Sequence, residues 1–434
     1  MNGSKLLAFV VAWVWHATII LFVGMAVSQG TMAAELQTTR GRHITLTTDV
    51  STSQLDTKQL VETFDTAVAA WESFFALPDH ALNDWSINAY VMQDKAAFTK
   101  AGFLPLRVPS FTQGFAYGNS VWVMHQPSAY YTRHLLLHEG VHALVINCFG
   151  GTGPSWFGEG TAELLATHRS SRESVVVAVV PKHRGSVPYW GRISLIEKRR
   201  TENSIPSIET VMRYQGNLEA DAESYAWCWA AVMMLCEYPE YKTAYLSAAR
   251  EGRDTGVNFT RQFYQRLLPQ WPVLSARWRL LCSDLHYGFD WDRNRISLSM
   301  SDSLWNGGTL ERQVDASLGW QSAGIRLPAQ TEFQISTSGR CTVAEQAGKT
   351  WISEPGGVTI RYVDGKPLGQ CVACLVPITS SGGRSDEPLK MVSVESTQRF
   401  RCEKESWLVL KINDAVGERS DNQGGYKVMI SGLR

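Results

Sequence analysis

The chain has 434 residues, with 41 Lys plus Arg against 41 Asp plus Glu, so its formal net charge is zero. That length predicts two or three domains and a sizeable core. The balance of charge excludes a basic nucleic-acid-binding surface and an acidic disordered tract as organising features.

In chain order, Leu6 to Val27 is apolar apart from His16 and Thr18, with Lys5 before it. The pattern is that of a secretory signal, yet the run is long enough to span a bilayer. Residues 1–34 are therefore read as a signal peptide or an N-terminal membrane anchor. Either reading makes the rest exported, periplasmic or extracellular, with membrane contact only through residues 6–27. The eight cysteines are compatible with disulfides in such a compartment, and Cys371-Val-Ala-Cys374 alternates as a strand does.

His43 to Thr48 alternates as a strand, Asp56 through Phe75 has apolar residues at helical spacing, and Trp85 to Met92 reads as a further strand. Phe115 to Val123 has a hairpin pattern that turns at Gly118-Asn119. The apolar run Tyr130 to Ile146 then encloses His138-Glu139-Gly140-Val141-His142. Two histidines four apart share one helix face, so both imidazoles can reach one metal ion, and Glu139 stays beside it without having to bind. Zn²⁺ takes neutral nitrogen ligands, and a catalytic site keeps a position for water. A carboxylate next to that water can accept its proton. This is the metalloprotease signature. His134, one turn earlier, is expected to support the ligands or pack in the core.

Gly150, Gly151, Gly153 and Pro154 reverse the chain, and Trp156-Phe157-Gly158-Glu159-Gly160-Thr161-Ala162-Glu163 follows on a second helix. Glu159 is the candidate third ligand. Glu163 faces the same way and is placed to orient a histidine ligand through its other N–H. The flanking glycines Gly158 and Gly160 are expected to let this helix approach the first.

HEGVH followed by WFGEGTAE resembles the gluzincin class of zinc metallopeptidases, which includes thermolysin and the zinc aminopeptidases. The fuller pattern is similar to exported bacterial zincin-like proteins. The resemblance implies an α+β zincin-like domain over residues 36–292 that hydrolyses peptide bonds in a peptide or protein substrate. His138, His142 and Glu159 would be its zinc ligands, Glu139 its base and acid, and Glu163 a support behind the ligands. It further implies an edge strand pairing with substrate, for which Val121 to Met124 occupies the matching place. A tyrosine or histidine from a downstream helix would stand near the developing oxyanion. Tyr225, opening a buried helix over Ala220 to Tyr238, is the candidate; packing in the core is the competing role for it. His168 and His183 have weaker claims. Ser174 to Val180 and Phe259 to Leu268 read as a strand and a helix.

After Trp291 the texture changes to short β runs broken by Gly, Pro and Asn or Asp, including Gly324 to Leu327, Glu332 to Ser336, Gly357 to Tyr362, Trp407 to Ile412 and Tyr426 to Ser431. Residues 297–434 thus predict a C-terminal all-β sandwich. Its last loop clusters the oxygen-bearing Asp414, Asp421 and Asn422, which suits Ca²⁺ and equally suits ordinary turns. The ending KINDAVGERSDNQGGYKVMI resembles the calcium loop of galactose-binding bacterial lectins of the PA-I type. That resemblance implies Ca²⁺ held by Asp414, Asp421, Asn422 and the Glu418 carbonyl, and presented to carbohydrate. The expectation is an exported zinc peptidase with a carbohydrate- or calcium-binding tail. The rival expectation is a catalytically inactive zincin-like protein that binds carbohydrate or a cell surface.

Overall fold

The computed structural model describes residues 35–170, 174–216, 221–379 and 388–433. The signal or anchor expected at residues 6–27 lies outside them. Among the described residues no helix is long and apolar enough to cross a membrane. Residues 36–434 form one compact unit that mixes helices with several sheets and becomes strand-rich in its second half.

The first half is built on a five-stranded sheet, ordered β1 (Gln37–Arg40), β2 (Ile44–Thr48), β3 (Ile87–Met92), β5 (Ser120–Met124) and β4 (Gly114–Tyr117). The three inner strands run parallel, and the outer two are antiparallel to their neighbours. Between β2 and β3 runs α1 (Thr57–Phe74), capped by the Asp56 carboxylate on the Gln59 N–H. The short α2 (Lys95–Lys100) follows β3.

The hairpin turns where expected, at Gly118-Asn119, but its arms lie the other way from the expected order. Val121 to Met124 belongs to β5, paired on both sides, and the free edge is β4. Val121 and Val123 point into the main core and Trp122 into a separate apolar cluster on the other face, so this arm is covered on both sides.

Next comes α3 (Ala129–Phe149), started by Ser128 and closed by Gly150 at φ 80. Gly140, inside the histidine motif, lets α3 sit close to α1, since a Cβ there would lie 2.5 Å from the Phe64 ring. After the glycine turn, α4 (Ser155–Ala166) packs on α7 (Ala222–Glu237). Here the glycines serve neighbours other than those expected. A Cβ on Gly160 would lie 2.6 Å from the Cys228 carbonyl of α7, and one on Gly158 would meet Thr152. Between α4 and α7 lie β6 (His168–Ser170), β7 (Val175–Val177), α5 (Arg192–Thr201) and α6 (Ile208–Val211). The helices α8 (Pro239–Ala249), α9 (Val257–Leu267), α10 (Trp271–Asp284) and α11 (Trp291–Asn294) complete this half.

The second half holds two sheets. One is ordered β17 (Met391–Ser393), β16 (Cys371–Pro377), β19 (Ser406–Ile412), β10 (Gln321–Leu327) and β8 (Ser303–Leu304). The other is ordered β13 (Lys349–Ser353), β12 (Cys341–Gln346), β20 (Gln423–Gly432), β11 (Thr331–Ser338) and β18 (Thr397–Cys402), with β9 (Leu310–Asp315) also on β20. A hairpin of β14 (Val358–Val363) and β15 (Lys366–Leu368) stands beside them. The eight cysteines are all free thiols.

Every residue of β19 is buried, because the strand has two apolar faces to satisfy. Leu408, Leu410 and Ile412 join the core between the two sheets, with Ala373, Phe333 and Val428. Trp407 and Val409 point the other way, with Val372, Cys374 and Val376, onto Val273, Ala276 and Leu280 of α10. This period-two split joins the halves through an apolar seam. Trp407 is fully buried there and donates its indole N–H to the Ser299 carbonyl at 3.1 Å. Trp407→Ala should therefore cost about 3–5 kcal/mol in denaturant unfolding. A loss below about 1 kcal/mol would show that the seam is not a packed core.

Candidate metal centre

The four-residue spacing on α3 does what a helix dictates, stacking the rings of His138 and His142 with centroids 4.8 Å apart. Their Nε2 atoms are 3.2 Å from each other. From α4, Glu159 Oε2 lies 3.1 Å from His138 Nε2 and 3.4 Å from His142 Nε2. Ligand atoms about 2.0–2.1 Å from a tetrahedral ion stand about 3.3–3.4 Å apart, so this triangle has the size zinc requires. Two imidazole nitrogens aimed at each other and at one carboxylate oxygen also suit a cation better than one another. Burial alone would raise the Glu159 carboxyl, but His142 and His138 outweigh it and hold it far below the usual carboxylate range. The site therefore offers a charged oxygen and two nitrogens.

Behind the triangle sits Glu163, 2 % exposed. Its Oε1 is 3.5 Å from His138 Nδ1, a long contact, and its Oε2 is 3.4 Å from His134 Nε2. His134 is fully buried, with Nδ1 3.2 Å from the Ala166 carbonyl. Glu163 is held in place by two residues that sequence reasoning missed. Arg192 donates from Nε and Nη2 at 3.2 and 3.0 Å, and the Trp190 indole N–H donates at 3.2 Å. Burial alone would raise the Glu163 carboxyl; the Arg192 guanidinium keeps it well below its ordinary value. His134, His138 and Glu163 also converge as a possible metal trio. Arg192 already grips both Glu163 oxygens, so a second cation would meet that guanidinium.

Glu139 is buried outside the ligand triangle and lines a neighbouring cavity of ≈ 70 Å³ with Gln113, Tyr131, Arg192 and Tyr225. Gly114, at the start of the edge strand β4, makes room for it: a Cβ there would fall 2.5 Å from Glu139 Oε1. Tyr225 lies on α7 with its ring 6.0 Å from the His138 ring and 5.4 Å from the Arg192 guanidinium. Burial, then the carboxylates of Glu159, Glu163 and Glu139, push its phenol far above the ordinary value, so it remains an O–H donor. His168 stacks on Tyr130 at 4.7 Å and binds the Ala166 carbonyl, while His183 is exposed. Neither lines this cavity.

At the other end of the chain, Asp414 accepts from the Ala415 N–H at 2.6 Å and from Asn422 Nδ2 at 2.8 Å. Asp421 Oδ2 accepts from the Glu345 N–H at 2.8 Å. Asp421 Oδ1 and Asn422 Oδ1 are buried without a hydrogen-bond partner. Burial raises the Asp414 carboxyl above its ordinary value. The Glu418 side chain is exposed and pairs with Arg361. The loop between them packs on the first half: Val416 joins that core, and the fully buried Arg419 binds Asn294 and the Asp414 carbonyl.

No protein-family model matches this chain, and no curated protein matches it. Among solved structures it is similar to the N-terminal domain of EclA, described as a PllA-like lectin. The match has 18% identity, covers 28% of this chain and 95% of that one, and has a TM-score of 0.21.

Proposed function

We propose that this chain is an exported zinc-dependent peptidase of the gluzincin kind, built on a zincin-like first half. The observation that carries the reading is the 3.1–3.4 Å triangle of His138 Nε2, His142 Nε2 and Glu159 Oε2, with Glu139 and His138 lining one adjoining cavity. A zinc ion held there supplies Lewis acidity toward a carbonyl and acidifies water. Glu139 takes the proton from the attacking water and returns it to the leaving amine. Tyr225, kept protonated, donates to the oxygen on which charge develops. Glu163, clamped by Arg192 and Trp190, fixes the His138 ring from behind. The free edge of β4, bordering the Glu139 cavity at Gly114, offers unpaired backbone groups to an extended peptide. The test is cleavage of a denatured protein mixture by wild type and Glu139→Gln, read by mass spectrometry. Equal cleavage by the two would assign the activity elsewhere, and zinc binding without any cleavage would favour the inactive binding protein.

For the second half we propose calcium at Asp414, Asp421, Asn422 and the Glu418 carbonyl. The unpartnered buried oxygens of Asp421 and Asn422 support it, since Ca²⁺ selects such oxygens. An open cleft of ≈ 590 Å³, with Trp291 in its wall, borders the same loop at Val416, Gly417, Arg419 and Ser420. The full chain should melt higher in calcium, gaining about 2.7 kcal/mol at a hundred times the dissociation constant. Asp414→Ala should abolish that gain. A melting temperature indifferent to millimolar calcium would remove the ion from the account.

A further inference from the structure

Far from the metal centre in its lining, a cavity of ≈ 510 Å³ opens at the seam between the two halves. It shares no described lining residue with the cavity beside Glu139. Its volume falls in the range of pockets that take small organic molecules. Its described walls come from the end of α5, from α10, from the β14–β15 turn, from β17 with the residues before it, and from β19.

Four cations, Arg200, Arg279, Lys366 and Lys411, line it against two carboxylates, Asp284 and Asp364. Both carboxylates are already paired. Asp284 accepts from Lys411 at 2.7 Å, and Asp364 lies 3.4 Å from His286. Arg200 donates to the Cys282 and Leu285 carbonyls at 3.1 Å each and to the His286 ring, and no described carboxylate lies within ion-pair distance of it. Lys366, half-buried, has no ion-pair partner among the described residues. Among the described lining residues, cations thus outnumber carboxylates four to two. The cavity's remaining wall includes the apolar Ile205, Leu389 and Met391, each partly exposed to it. Clefts lined by one sign of charge over low-dielectric walls concentrate the opposite charge.

We propose that this seam cavity binds an amphiphilic monoanion, a carboxylate carried on an aliphatic body, for which the cavity has room. Lys366 and Arg200 meet the carboxylate, and Ile205, Leu389 and Met391 cover the chain. The site stands apart from the peptidase reading, and zinc content and cleavage do not decide it.

The test uses the full chain and calorimetric titration with octanoate below its micelle concentration. Octanol presents the same body without charge, and acetate presents the head alone. One octanoate should bind per chain, octanol should bind about tenfold more weakly or worse, and acetate should give no saturable heat. Lys366→Glu, at the half-exposed start of β15, should keep the wild-type melting temperature and lose about tenfold in octanoate affinity. Leu389→Glu should weaken octanoate from the apolar side. The proposal is overturned if octanoate does not saturate, if octanol binds equally well, or if both variants bind octanoate as wild type does.

Discussion

Glu139→Gln should retain one zinc per chain and the wild-type melting temperature while peptide hydrolysis falls by about 10²–10⁴-fold, the usual worth of a general base. Glutamine keeps the shape of the side chain in its cavity with Gln113, Tyr131 and Tyr225, so packing is preserved. It cannot accept a proton, so attack loses its base and the departing amine its acid. Because one carboxylate serves both steps, the upper end of that range is expected. His142→Ala differs in kind, since it removes a corner of the ligand triangle and takes metal and turnover together. Zinc quantified alongside rates separates the two. A Glu139→Gln protein that loses its zinc would mean that Glu139 is itself a ligand.

The second large effect divides the two glutamates of α4. Glu159→Ala should lose most zinc but little apoprotein stability, because among the described residues its carboxylate pairs with the two histidines and it is partly exposed. Glu163→Ala should keep zinc with affinity weakened about ten- to a hundredfold. It should also lose about 3–5 kcal/mol of stability, since it leaves the buried Arg192 guanidinium unpaired. Glu163→Gln, which keeps one of the two acceptor oxygens for Arg192 and Trp190, should lose less. Zinc retention in the reverse order, with Glu163→Ala emptied and Glu159→Ala loaded, would contradict the ligand assignment. A Glu163→Ala protein that unfolds at the wild-type denaturant midpoint would contradict the clamp.

What was legible in the sequence was local. Helical spacing alone aligns His138 with His142, and Asp56, Gly118-Asn119 and Gly150 mark a cap, a turn and a helix end by their own backbone chemistry. Glu159 and Glu163 could be placed because α4 follows α3 after a short glycine turn. The clamp could not be placed, because Arg192 and Trp190 lie 29 and 27 residues beyond Glu163 with no periodic signal linking them to it. The edge strand was misassigned for a related reason: a hairpin pattern does not say which arm meets β3. The helix α10 hid its period because Arg277 and Arg279 are buried in it. Arg277 lies over the Tyr238 ring at 3.9 Å and bonds the Tyr241 hydroxyl, so a charged residue occupies what is structurally a core position. The seam was not legible either: Trp407 to Ile412 reads as a short β run, and nothing in it names the α10 residues that cover its second face.

In the proposed function, His138, His142 and Glu159 hold a zinc ion on which peptide hydrolysis depends. The most direct measurement strips purified protein with a chelator, then follows cleavage of a denatured protein mixture as zinc is returned in known amounts. Cleavage should disappear on stripping and return in full at one zinc per chain. Cleavage that survives removal of all metal, or a chain that takes up one zinc and cleaves nothing, would contradict it.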